Sequence, residues 1–368
     1  MGSLVTLLAI GVGFLKRHSA LASFFILLVL WVLFSLNTGN ADYQGYEYLY
    51  NNQMFAIAGS GQTAGYQFLS NICYQLGFDY LQFKCIVGTL GLALLFLFAR
   101  RYTNNAAFVL ALYLVIPFFY DVVQLRFFLA ASVAVFFTRF IIERTRFGVF
   151  LFLFGLLIAF SVHPASLLFS FLLLGRLSKK AAKWLSIGLF LVILIAVYSG
   201  LLVPIAALFV DQVKFEVYFS EMARFGFLPY WASSGLILVL VQGTRKLSDG
   251  NQLSENVRYE CSEDLMRRRQ DAFMEFFDRA CFAILPLSAL VPLSVTNFYR
   301  PIRSMIFLAH IYCALLLIER KELYGKMDRI IFAIGYATWI VFTSVILYQG
   351  VFNEVVLSVL NCNLLWNP

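Results

Sequence analysis

The side chains best suited to chemistry gather at the two ends of the stretch Pro117–Pro164. It begins Pro117-Phe118-Phe119-Tyr120-Asp121-Val122-Val123-Gln124-Leu125-Arg126 and ends Ser161-Val162-His163-Pro164. Two long apolar segments lie between, separated by the basic turn Glu143-Arg144-Thr145-Arg146. This pattern predicts a membrane hairpin with a carboxylate, an amide, a guanidinium and an imidazole at one mouth. Ionisable groups in membrane segments are costly unless they face a polar cavity, so the mouth is read as the working site. Asp121 and Gln124, at i and i+3, share a helix face; Arg126 is offset from Asp121 by roughly 140°. Asp121 is either a helix cap or a base. Arg126 either pairs with a carboxylate or meets a phosphate, for which a planar guanidinium is the natural bidentate partner. His163 is either a polar helix-terminal residue before Pro164 or an acid–base group active near neutral pH. His310, inside an apolar span, reads as a satisfied interhelical hydrogen-bond partner.

Two further segments add candidates. Gly39-Asn40-Ala41-Asp42-Tyr43-Gln44-Gly45-Tyr46-Glu47-Tyr48-Leu49-Tyr50 sets four tyrosines around two carboxylates. It reads either as an aromatic belt at the membrane boundary or as a sugar site, with Tyr43 and Tyr46 stacking on pyranose faces and Asp42 taking hydroxyls. Asn297-Phe298-Tyr299-Arg300-Pro301-Ile302-Arg303 opens a late span. Arg300 and Arg303 there either snorkel to lipid phosphate or clamp a pyrophosphate together with Arg126. Tyr299 and Gln124 are further sugar contacts, and Arg224 a further diphosphate contact.

Elements able to position these groups must be membrane helices. Of 368 residues 61% are hydrophobic and 13% charged, against about 45–50% and 25% in soluble domains, and the mean hydropathy is +0.81. Apolar runs of roughly 17–25 residues span a bilayer as helices, and the alternating pattern of a barrel is missing. The expected fold is all-α: a polytopic membrane helix bundle of about 11–12 spans forming one integral domain, 1–368, with an outer loop 37–82 and a cytoplasmic loop 244–271. Ser3–Leu15 is an interfacial helix or a short first span, and Ala165–Gly175 is too short to cross alone unless its neighbours thin the layer there or it extends through Leu177.

About 21 of the 28 Lys and Arg fall in one set of loops, including Lys16/Arg17, Arg100/Arg101, Arg144/Arg146 and Arg267-Arg268-Arg269. By the positive-inside rule that set is cytoplasmic, which leaves Asp42, Asp121, Arg126, His163, Arg224 and Arg300 near the outer face. The same bias explains the net charge of +8 without a nucleic-acid partner. The six cysteines are scattered, with no C-x-x-C pair and no histidine at ligand spacing, so neither a metal centre nor a disulfide framework is expected.

The pieces Gly39…Asp42-Tyr43…Tyr46, Gly65-Tyr66…Leu69, Tyr120-Asp121…Gln124…Arg126…Ala130 and His163…Ser166, in this order and topology, resemble the EpsG branch of the Wzy-type polysaccharide polymerases. The resemblance covers most of residues 1–175, and beyond that only the span count and the Arg300 region. It implies a GT-C-like, cofactor-free and metal-independent glycosyltransferase of the bacterial cytoplasmic membrane, with its active face outward. Such an enzyme transfers a growing glycan from its polyprenyl diphosphate to a newly flipped repeat unit, building a capsule, exopolysaccharide or O-antigen. Expected partners are the lipid-linked oligosaccharide, membrane lipid, a flippase and a chain-length regulator. One departure is that Ser35-Leu36-Asn37-Thr38 stands where family members often carry an arginine.

Such transfer needs cations for the leaving diphosphate and a base for the attacking hydroxyl. Arg126, Arg300 and Arg303 are the candidates for the first task, and His163 or Asp121, with Asp42 third, for the second. The three guanidiniums are expected to face one cavity. Two rivals are a lipid-oligosaccharide flippase, which predicts mid-membrane charges and internal repeats, and a membrane glycan acyltransferase using His163.

Overall fold

The computed structural model describes residues 1–52, 63–201, 225–250 and 265–367, without the side chains of 245–250. Arg224 and half of the loop 244–271, residues 251–264, lie outside the described residues. The fold is all-α, as expected. Among the described residues five helices are long and apolar enough to cross a membrane: Tyr80–Tyr102, Leu125–Ile142, Lys179–Tyr198, Val295–Glu319 and Lys326–Tyr348. Five shorter apolar helices of 10–17 residues join them.

Helix α1 (Gly2–Leu15) packs along α2 (Ala20–Ser35) and α6 (Ala106–Val115), so it is a member of the bundle and not a surface helix. The described part of the segment after α2 forms two short helices, α3 (Tyr43–Asn51) and α4 (Ala64–Gln75). Asp79 then starts α5 (Tyr80–Tyr102) with a capping box: its side chain accepts from Gln82 N at 2.8 Å, and Gln82 Oε1 accepts from Asp79 N at 3.0 Å.

Helix α6 stops early, at Val115, inside a longer apolar run. Pro117 has no N–H and drives the residue before it out of the helical region, so α6 ends at Val115 and Ile116 is extended (φ −159°, ψ 131°). A short helix α7 (Phe118–Val123) follows, and Gln124 is the joint to α8 (Leu125–Ile142). The turn after α8 closes through Arg144 in the left-handed region (φ 49°), a conformation usually left to glycine. Helix α9 (Gly148–Val162) returns against α8, and Gly155 admits the Phe137 ring where any Cβ would collide. The predicted hairpin therefore forms.

Pro164–Arg176 is a 13-residue 3-10 helix. With a rise of about 2 Å per residue it extends roughly 26 Å, against about 20 Å for an α-helix of the same length. That is how a segment too short to cross as an α-helix nearly matches the hydrocarbon thickness of about 30 Å.

The later helices are α10 (Lys179–Tyr198), α11 (Leu228–Gly250), α12 (Leu265–Ala280), α13 (Ile284–Leu290), α14 (Val295–Ala314), α15 (Lys326–Tyr348) and α16 (Ser358–Asn361). Helix α14 is the central post. It and its π-turn extension are 89% buried over the apolar window, while α10 is 17% buried and faces outward. It begins at Val295, so Arg300 lies inside a helix and not in the loop ahead of Pro301. His310 on α14 is satisfied between helices, as expected, by Tyr336 Oη and the Ile116 carbonyl, both at 2.7 Å.

Candidate active site at one end of the bundle

Antiparallel alternation brings the start of α5, the start of α8, the end of α9 and the start of α14 to one end of the bundle, with α3 and α4 across it. At the other end Glu143 pairs with Arg101, and Glu319 accepts from Thr103 and Asn105.

Arg126 stands in the first turn of α8, half-buried. Its Nε donates to Tyr46 Oη on α3 at 3.1 Å, and its guanidinium carbon lies 5.7 Å from the rings of both Tyr46 and Tyr66. Asp42 is the N-cap residue of α3, but its carboxylate makes no capping bond. The carboxylate opens to solvent on one side, while the protein behind it pushes its pKa up; Arg300 and then Arg126 pull it back down, and the net displacement is upward. Asp42, Tyr46, Arg126 and Arg300 therefore form one electrostatic group. Arg300, at the start of α14, also donates Nε to the Thr296 carbonyl at 3.0 Å.

His163 closes α9 and opens the 3-10 helix. Its Nδ1 accepts from Ala165 N at 3.2 Å, which in the neutral ring leaves the proton on Nε2. The ring packs edge-on against Phe127, next to Arg126, with centroids 5.3 Å apart. Of the groups expected at the mouth of Pro117–Pro164, Arg126 and His163 are linked at this end through Phe127, while Asp121 and Gln124 turn to the interior.

Arg303 departs from the expected cluster. It is 3% exposed, and its Nη2 donates to Gln124 Oε1 at 2.7 Å and lies 3.4 Å from Asp121 Oδ1. Its guanidinium sits 4.8 Å from the Tyr120 ring. Asp121, 5% exposed, also accepts from Tyr113 Oη at 2.7 Å. Asp121 and Gln124 are therefore turned inward onto Arg303, and Arg126, beyond the non-helical joint at Gln124, reaches Tyr46 instead. Beside Asp121 lies a cavity of about 10 Å3 that Ser132 and Ser304 also line, room for about one water.

The tyrosines divide as well. Tyr46 joins the Arg126 group. Tyr43 is buried, donates to Glu47 Oε1 at 3.3 Å and lies under the Lys84 ammonium at 5.2 Å. Tyr299 is buried against Tyr230 (4.7 Å between centroids), with its hydroxyl 3.4 Å from Ser233 Oγ. Tyr66, Tyr113 and Tyr120 meet the site arginines or Asp121 although none was a site candidate. Where an arginine was missing, Asn37 instead donates to the Ser358 and Cys362 carbonyls at 3.0 and 2.8 Å, and Lys84 Nζ donates to the Asn37 carbonyl at 2.5 Å. That knot staples the C-terminal segment to the end of α2.

Chemically, the end offers two guanidiniums able to receive an anion, an aromatic surface, a carboxylate with a raised pKa that does not cap its helix, and an imidazole. No curated protein and no solved structure matches the chain. Residues 20–246 match the EpsG family, a segment that holds the whole of the α8–α9 mouth and well over half of the sequence, and the chain belongs to that family.

Proposed function

We propose that this membrane protein is a polysaccharide polymerase: it transfers a glycan from one polyprenyl diphosphate to the sugar end of another, at the outer face of the bacterial cytoplasmic membrane. The observation that carries the reading is the grouping of Asp42, Tyr46, Arg126 and Arg300 at one end of the bundle, with His163 beside Phe127.

Arg126 and Arg300 take the charge that develops on the leaving diphosphate, a role in which fixed cations stabilise the transition state more than the ground state. Tyr46 offers its ring to a sugar face. Asp42 is the favoured base, because its carboxylate is open, does not cap α3 and holds its proton more tightly than a free aspartate, which brings it closer to the working pH. Asp121 is committed to Tyr113 and Arg303 in the interior. His163, with Nδ1 occupied, is better placed to donate from Nε2 to a substrate oxygen. A single displacement inverts the anomeric centre.

The test is purified protein in nanodiscs with a defined polyprenyl-diphosphate repeat unit. The expected product is a ladder, absent in Arg126→Ala, Arg300→Ala and Asp42→Asn. A ladder that persists in both arginine variants overturns the assignment. Passage of the unaltered lipid across vesicles, with no lengthening, would identify a flippase instead.

A further inference from the structure

The two rings flanking Arg126 are held differently. Tyr46 lies on the short helix α3 and is half-buried. Tyr66, on α4, is wholly buried, its ring edge-on to Phe83 at 5.6 Å. Its helix is clamped to the segment that carries His163. Thr63 Oγ1 donates at 2.5 Å to the carbonyl of Val162, the residue before His163. Two residues on, Gly65 lies so close to α9 that a Cβ would stand 2.9 Å from both the Cβ and the carbonyl oxygen of Ser161. His163 in turn packs against Phe127, next to Arg126. The contacts close a ring: Arg126, Tyr66, Gly65, Ser161, His163, Phe127.

We infer that Tyr66 is a positioning residue, and that α4 is the spacer holding the Arg126 guanidinium at a set distance from the His163 imidazole. This rests on the diphosphate reading of Arg126. A guanidinium on a flexible stem must be ordered before it can meet a phosphate, and ordering it beforehand leaves more of the binding energy for the transition state. The electron-rich face of Tyr66 supplies that order through cation–π attraction, an effect that translates to roughly 3- to 30-fold. Gly65 is the residue that lets α4 come this near to Ser161 on α9.

The experiment uses the full-length protein in nanodiscs with the polyprenyl-diphosphate repeat unit, reading kcat/KM. Tyr66→Leu is expected to lower it by roughly 3- to 30-fold, and Tyr66→Phe, which keeps the ring, to restore most of the loss. Replacing Tyr66 by phenylalanines of increasing ring fluorination weakens the face potential at nearly constant shape, and activity should fall stepwise. In an Arg126→Ala background, where elongation is lost, binding of the lipid diphosphate is read instead, and the same replacements should leave its Kd unchanged. A flat fluorination series with Arg126 still essential overturns the positioning role, as does a Tyr66→Leu loss of lipid binding that persists in the Arg126→Ala background. An Arg126→Ala enzyme that elongates normally removes the diphosphate reading and this inference with it. Wild-type protein that makes no ladder overturns the proposed function itself.

Discussion

At the scale of single residues, Asp42 and Arg300 make a linked prediction. A base works only when ionised, so kcat/KM falls as pH drops through its pKa. Burial outweighs the two arginines and displaces the Asp42 carboxyl upward, so the fall begins at higher pH than for a free aspartate. Arg300→Gln removes the larger of the two charges that lower it; the acid limb should then move to still higher pH. Asp42→Asn should remove the limb along with about 10²- to 10⁴-fold of the rate. An acid limb unmoved by Arg300→Gln in the pH profile would separate Asp42 from the base. Arg126 and Arg303, which look alike in the sequence, should part in a different measurement. Arg303→Ala leaves Asp121 buried without its counter-charge, a loss of roughly 3–5 kcal/mol. Arg126 is half-buried on tyrosine faces, and Arg126→Ala should cost only about 1 kcal/mol while abolishing elongation. Denaturant unfolding in detergent checks both. The spacing of Asp121 and Gln124 was legible as one face, but no local pattern could show that Arg303 fills it. Nor could the sequence separate Tyr43 from Tyr46. Their fates depend on how α3 lies across α5 and α8, a long-range register that apolar periodicity does not encode.

At the scale of elements, the run of apolar residues announced helices but not their kind. Pro117 ended a helix inside a run that reads as one apolar span through Phe119, whereas the hairpin of α8 and α9 followed from two apolar runs and a basic turn. The 3-10 winding of Pro164–Arg176 was not readable, because an apolar 13-mer has the same composition in either geometry; only the distance it must cover distinguishes them. The end of α14 makes a testable case of what ties elements together. A π turn over Leu315–Glu319 extends the helix, and Glu319 there accepts from the Thr103 hydroxyl, the Asn104 and Asn105 backbone N–H groups, the Asn105 amide and Gln270. One carboxylate thus joins α12, α14 and the α5–α6 turn. Thr103 and Asn105 are fully buried, and each stranded donor costs about 1–3 kcal/mol. Glu319→Ala should therefore destabilise the protein by at least about 2 kcal/mol, and Lys321→Ala, at an exposed position, by no more than about 0.5 kcal/mol. Equal unfolding midpoints for the two would show that the latch does not hold the elements together.

At the scale of the whole molecule, the chemistry and the loop charges sit at opposite ends. Helix α5 starts among Tyr43, Tyr50 and Tyr80 and finishes with Arg101 and Tyr102 against Glu143, so it measures the separation. The Asp42–Arg126–Arg300 group belongs to the first end, and the α8–α9 turn with Arg144 and Arg146 to the second. Under the proposed function, the positive-inside rule predicts that the site faces outward, where a flipped lipid-linked sugar would present itself. Gln44 beside Asp42 and Thr145 in the basic turn are both exposed, which makes them reporters of the two ends. In a chain whose six cysteines are replaced, Gln44→Cys should react with a membrane-impermeant maleimide in intact spheroplasts. Thr145→Cys should react only after permeabilisation. The reverse pattern would put the two guanidiniums in the cytoplasm. A diphosphate sugar would then meet them before being flipped, and polymerisation outside the membrane could not be the work of this site, however well its residues are arranged.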